Sequence, residues 1–166
     1  NLGVNPYRLG VIGSTDSHTA LSSAEEDNFH GKLATDSIPA NKTSGFNDDG
    51  PGATGWAMSA SGMAAVWAQG NTRGEILDAL ERREVYATTG PRIVVQFYGG
   101  AAFLPADLDT EESLANARTR AVPMGGVLTQ SDTPSFIVIA SKDPKGANLD
   151  RVQIVKGWLD ESGKSQ

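Results

Sequence analysis

The stretch GVIGSTDSH, residues 10–18, carries an apolar run into an aspartate and a histidine two positions apart. On an extended chain, side chains at that spacing lie on the same side. Asp16 and His18 would then bring a carboxylate oxygen and an imidazole nitrogen to a common point. That pairing suits a divalent cation such as zinc, manganese or iron. It equally suits a carboxylate that orients an imidazole as a general base. A turn aspartate beside a solvent-facing histidine leaves the same short signature, so the tripeptide alone keeps all three readings open.

Further candidates cluster in EEDNFHGK, residues 25–32. His30 could add a ligand or a proton donor over the site, and Lys32 could pair with an anionic group of a substrate. Both are therefore candidate catalytic residues, with a solvated surface loop as the plainer account. Glu26 is a weaker candidate for a metal or water contact. Other chemistries lack their patterns. Ser14 does not sit in a Gly-x-Ser-x-Gly elbow. NDDGPGATG (47–55) has neither the Gly-Lys-Ser/Thr ending of a phosphate loop nor the spaced acids and closing glutamate of an EF-hand. Arg92 follows TTGP where the chain changes character, and an ion pair between the two halves is expected there. Trp56, Trp67 and Trp158 are far apart in sequence and suit core or interface positions better than a sugar platform.

The chain has 166 residues, 39% hydrophobic and 20% charged, within the range of globular proteins. No apolar run approaches the roughly 18 residues of a membrane helix. Its net charge of −6 is spread evenly, with 11 acidic against 7 basic residues in 1–92 and 9 against 7 in 93–166. Without a basic stripe to neutralise phosphates, nucleic-acid binding is not expected. The absence of cysteine removes disulfides, thiolate metal sites and cysteine nucleophiles together.

The elements that must position these residues divide into two parts. Residues 9–13 read as a short buried strand after an Asn5-Pro6 turn. A polar loop over about 21–57 follows, long enough to act as a lid or wall beside Asp16 and His18. SGMAAVWAQ (61–69) reads as a short apolar helix. Thr72 and Glu75 form a capping-box pattern ahead of Ile76, Leu77, Ala79 and Leu80, which predicts a second helix ending near Glu81–Glu84. VYATTG (85–90) reads as a strand, completing an α/β layer. Beyond Pro91, RIVVQFY (92–98), SFIVIAS (135–141) and RVQIVKGW (151–158) are β-branched and aromatic runs between Gly, Pro and Asp turns. They predict an antiparallel, sandwich-like module over 93–166, with a helical turn in acidic segment 107–117.

GVIGST and ALERREVYATTGPR resemble the C-terminal part of the PHP-type (polymerase and histidinol phosphatase) metal-dependent hydrolases. NPYRLGVIGSTDSH, GMAAVWAQGNTRGEILDALERREVYATTGPRI, VPMGG and DRVQIVKGW resemble blocks of an allied bacterial family of unknown function, DUF3604. The fold this implies is α/β plus β. Residues 1–92 would be the C-terminal portion of a distorted (β/α)7 barrel, and 93–166 a β-sandwich-like module. The resemblance also makes Asp16 and His18 metal ligands. PHP-type proteins bind two or three ions through several histidines, aspartates and a glutamate, including an N-terminal His-x-His. This chain has two histidines and no His-x-His, and so looks like the last portion of a larger enzyme.

The resulting expectation is part of a metal-dependent, phosphoesterase-like hydrolase acting on a small ester or phosphoester, inactive in isolation. Zinc, manganese or iron would be held by the full-length protein and only weakly, if at all, by this chain. The alternative is a non-catalytic module whose β-sandwich binds glycan or mediates oligomerisation. Exposed strand edges would in either case favour homo-oligomers.

Overall fold

The computed structural model describes residues 9–22, 30–43, 54–55, 58–129 and 133–166. Glu25, Glu26, Asp27, Trp56, the Asn5-Pro6 turn and most of NDDGPGATG lie outside the described residues. The chain combines helices and strands, and its strands form two antiparallel sheets.

The first sheet pairs β1 (Met63–Val66) with β2 (Val85–Thr88), in the register Met63↔Thr88 to Val66↔Val85. Residues 61–69 are therefore not the expected helix. Ala-rich MAAVWA has local helix propensity, but pairing with β2 offers every β1 residue a cross-strand neighbour. The Trp67 N–H extends the ladder to the Glu84 carbonyl at 2.9 Å. Between the strands runs α1 (Arg73–Glu81), where the Thr72 hydroxyl accepts from the Glu75 N–H at 3.3 Å. The helix ends where Arg83 adopts a left-handed φ of 61°. The Arg83 and Glu84 N–H groups then turn back onto the Leu80 and Ala79 carbonyls, both at 3.0 Å, the closing pattern of a Schellman motif. The expected order was strand, loop, two helices and strand; the structure instead has a strand, one helix and a strand, and the pairing is antiparallel.

The second sheet has the order β4-β3-β5, from β3 (Val94–Gly100), β4 (Val122–Pro123) and β5 (Ser135–Ser141). Seven residue pairs, Val94↔Ser141 through Gly100↔Ser135, join β3 to β5. Phe97 and Phe136 stack on one face with centroids 5.4 Å apart. The acidic segment holds a full helix, α2 (Glu111–Thr119), capped by the Thr110 hydroxyl accepting from the Ser113 N–H at 3.0 Å. It covers the opposite sheet face, where Arg118 donates to Gln96 Oε1 at 2.6 Å and lies over the Tyr98 ring. After β4 the chain reverses at Gly125, whose φ of +80° suits glycine. A Cβ there would also lie 2.3 Å from the Arg83 carbonyl oxygen.

Two side chains tie the sheets together. Trp67 Nε1 donates to the Val95 carbonyl at 2.9 Å, and the Tyr86 hydroxyl to the Ile93 carbonyl at 3.1 Å. Arg92 joins the halves through its main-chain N–H, which donates to Asp143 Oδ2 at 2.6 Å, where an ion pair was expected. That bond and a second from the Lys145 N–H hold the Asp143 carboxyl below the usual carboxylate range.

Two expected strands are absent. Residues 9–13 form no strand, and Leu9, Val11 and Ile12 are exposed. Residues 151–158 are likewise unpaired, with Val152, Ile154, Val155 and Trp158 exposed. β-branched composition creates a preference that only a hydrogen-bonding neighbour realises; among the described residues neither run has a strand partner, and only the Trp158 carbonyl at the end of the second accepts a bond, from the Gln166 N–H at 2.9 Å. Among the described residues, Ala60, Ala79, Ala117 and Ile137 are the buried hydrophobic ones. Among the described residues no helix is long and apolar enough to cross a membrane.

Candidate functional site

The segment carrying Asp16 and His18 lies against the β1–β2 sheet because two glycines let it approach. A Cβ on Gly13 would stand 2.4 Å from the Ala87 Cβ, and one on Gly62 2.2 Å from the Ser14 carbonyl oxygen. Beyond Ser14 the chain bends. Asp16 takes a left-handed φ of 50°, a conformation that aspartate tolerates better than most residues. Ser17 stabilises the bend: its N–H donates to the Thr15 hydroxyl at 3.2 Å and its own hydroxyl to the Leu21 carbonyl at 2.7 Å. The Asp16 and His18 side chains thus approach through a bend, where strand alternation was the expected cause.

A second segment is laced alongside. The His18 N–H donates to the Lys32 carbonyl at 2.9 Å, and the Lys32 N–H donates to the Met58 carbonyl at 2.7 Å. These bonds place the Lys32 ammonium against Asp16 Oδ2 at 2.5 Å. Lys32, a candidate partner for a substrate anion, pairs with Asp16. His30, on the same segment, is half-buried and its carbonyl accepts from the Ala60 N–H at 3.2 Å. It is Lys32, and not His30, that reaches Asp16.

Within the bend, His18 Nδ1 lies 3.0 Å from the Asp16 carbonyl oxygen and 3.9 Å from Asp16 Oδ1. A carbonyl only accepts, so the shorter contact requires the proton on Nδ1. In the neutral ring the lone pair then belongs to Nε2. The Asp16 carboxyl is held below the usual carboxylate range, chiefly by the hydrogen bond from Lys32, with the nearby Lys32 and His18 charges adding to it. It is therefore ionised at neutral pH, with Oδ2 engaged by Lys32.

Asp16 Oδ1 and His18 Nε2 are the donor atoms left without a hydrogen bond among the described residues. Both side chains are more than half exposed, at 67% and 52%. An anionic oxygen and a neutral imidazole nitrogen are suitable ligands for a divalent cation. A histidine that ligates through one nitrogen commonly donates its other N–H to a carbonyl, as His18 does. The donor set fits such an ion in part. Among the described residues, no group of three His, Cys, Asp or Glu side chains could enclose one.

The spacing of Asp16 and His18 suggested that they approach, but the bend that brings them together was not legible from it. Nor was the role of Lys32, because the backbone bond from His18 that delivers it spans loop residues with no periodic pattern. Gly13 and Gly62 were visible in the sequence, but their close approaches depend on which strands pair.

A family model described as "Protein of unknown function (DUF3604)" matches residues 1–166, and the chain belongs to that family. No curated protein and no solved structure matches the chain.

Proposed function

We propose that this chain contributes one part of a metal-dependent hydrolase site, related to the PHP-type enzymes, that acts on a small ester or phosphoester. In this reading residues 1–92 belong to the end of a distorted (β/α)7 barrel, and residues 93–166 to an appended β module. The further ligands come from chain beyond this polypeptide. Asp16 Oδ1 and His18 Nε2 would hold a divalent ion, zinc, manganese or iron. Such an ion, when bound, lowers the pKa of an attached water and stabilises oxyanions that develop during ester hydrolysis.

The chain's own groups prepare for that role. The Asp16 carbonyl fixes the His18 tautomer and so reserves Nε2 for a ligand or a proton. Lys32 keeps Asp16 ionised and takes one of its oxygens, leaving the other for a cation. The observation that carries the reading is the 3.0 Å contact from His18 Nδ1 to the Asp16 carbonyl. In the neutral ring it makes Nε2 the nitrogen that carries the lone pair, beside an ionised carboxylate.

Titration of this chain with Zn²⁺, followed through the ring-nitrogen resonances of His18 and His30, tests the proposal. The expected result is a response at His18 Nε2 with a dissociation constant weaker than micromolar, because two donors fall short of the three or four of a zinc site. Asp16→Ala should remove it. A response at His30 alone, or none at His18 up to millimolar Zn²⁺, would overturn the assignment. A submicromolar constant would overturn the division of the site between this chain and another segment. In the full-length protein, Asp16→Ala should lower both metal content and ester hydrolysis.

One observation favours a second reading, an interaction module whose partner is another copy of this chain. Val152, Ile154, Val155, Trp158 and Leu159 are all exposed on one β-prone segment. Sedimentation velocity separates the two: concentration-dependent dimers lost in Ile154→Lys support this reading, and a monomer at all concentrations excludes it.

A further inference from the structure

A cleft of about 540 Å³ lies beside the Asp16–His18 bend, lined by Gly13, Ser14, Ala87, Thr88, Ile93 and Val95 among others. Three pieces of chain meet to form it: the segment leading into the bend, strand β2, and the start of β3. Its walls are pinned. The close approach of Gly13 to Ala87 and of Ser14 to Gly62 sets one side. On the other, Tyr86 and Trp67 donate to the carbonyls of Ile93 and Val95.

The lining is chemically selective. None of the described residues that line it carries a charge. A phosphate or carboxylate inside would lose its hydration without gaining an ionic partner, which is strongly unfavourable. Ala87, Ile93 and Val95 instead offer apolar surface, while Ser14 and Thr88 supply a few hydroxyls. An apolar wall with a few polar groups, in a volume between roughly 300 and 1,000 Å³, is the usual composition of a small-ligand site. The cleft also adjoins the donors, because Ser14 in its wall stands two residues before Asp16.

We infer that this cleft receives the alkyl or aryl group of a small ester whose polar end lies toward Asp16 and His18. That the bound group belongs to a substrate rests on the hydrolase reading above; binding of the apolar group itself does not. The cleft narrows the substrate class from any phosphoester to one with an uncharged, apolar half. It disfavours sugar phosphates and nucleotides, whose polar rings would leave hydroxyls unpaired against Ile93 and Val95.

Binding of uncharged n-alkyl acetates from methyl to hexyl, measured by NMR on this chain without metal, tests the inference. Affinity should rise by up to about fourfold per methylene until the cleft is full, with shifts at the methyl groups of Ala87, Ile93 and Val95. Ala87→Leu, which partly fills the cleft, should flatten that dependence. Because Ala87 also touches Gly13, Thr89→Leu on the cleft wall is the second variant, with the β1–β2 amide resonances reporting an intact fold. Affinity independent of alkyl length would overturn the inference. So would shifts confined to exposed apolar segment 149–159. The two proposals fail separately. A flat series with a Zn²⁺ response at His18 removes the cleft alone; a steep series without that response removes the metal reading alone.

Discussion

Gly62→Ala tests whether the β1–β2 sheet positions the Asp16–His18 bend. The added Cβ would lie 2.2 Å from the Ser14 carbonyl oxygen and 3.0 Å from the Ser14 carbonyl carbon. A carbon needs about 3.5 Å from a non-bonded neighbour, so the segment must retreat by roughly 1 Å. Both clashing atoms are backbone, and no rotamer change relieves them. Retreat moves Asp16 and His18 away from Lys32, which the Met58 carbonyl holds independently at 2.7 Å. Overpacking of this kind costs about 1–3 kcal/mol. The effect on the site should exceed the effect on stability, because a misplacement of about 1 Å can weaken a positioned constellation on the order of a hundredfold. Amide resonances of residues 14–18 should shift and the Zn²⁺ response at His18 should weaken at least tenfold. Gly74→Ala is the control: a Cβ there meets nothing within 4 Å, and in a helix the change should stabilise by about 0.5–1 kcal/mol. If Gly62→Ala leaves residues 14–18 and the His18 response as they were, the sheet does not position the bend.

Three further outcomes follow from particular contacts. Trp67→Phe removes the donor to Val95 and should cost about 1 kcal/mol, a fall in thermal midpoint of roughly 2–4 °C. Lys32→Met should return the Asp16 carboxyl toward its ordinary range, read by ¹³C NMR. With Lys32 present, the stabilisation linked to Asp16 exists above the ordinary carboxyl pKa and disappears as pH falls through the lowered one, so the variant should lose that acid dependence. Asp160 is held down to about 2 by the Ser162 hydroxyl first, then the Lys164 N–H and the Gln166 amide. Its turn should stay protected from amide exchange at Gly163 and Lys164 below pH 3.8 and open as pH approaches 2; Asp160→Asn should remove this titration.

Local signals proved legible where a short stretch carries its own stabilisation. Thr72 and Glu75 mark the start of α1 because the capping bond lies within one turn, whereas the acidic segment suggested only a helical turn where the full helix α2 forms. β2, β3 and β5 were readable because their β-branched and aromatic runs find partners. Identical signals misled at 9–13 and 151–158, which have the composition of strands but no strand partner among the described residues. β1 failed in the opposite direction, since MAAVWA has the look of a helix and becomes a strand through residues some twenty positions later. At the site, the spacing of Asp16 and His18 suggested a shared side through strand alternation, whereas they meet through a bend at Asp16, and Lys32 arrives through a main-chain bond that no side-chain pattern encodes.

In the split-site reading, the donors that await further ligands adjoin one of the exposed apolar runs. Leu9, Val11 and Ile12, exposed at 76%, 86% and 52%, lead directly into the bend that offers two donors. Burying three such side chains would contribute on the order of 5 kcal/mol. In the split-site reading, an element that covers them also stands nearest to the Asp16 and His18 donors. Covering and ligation then reinforce each other: an ion that draws the missing ligands toward His18 also favours burial of residues 9–12. Amide exchange at 9–12 in the full-length protein should therefore slow when Zn²⁺ is added, and Asp16→Ala should cancel the slowing although it removes no apolar contact. Protection at 9–12 indifferent to metal would mean that the cover and the remaining ligands belong to different elements.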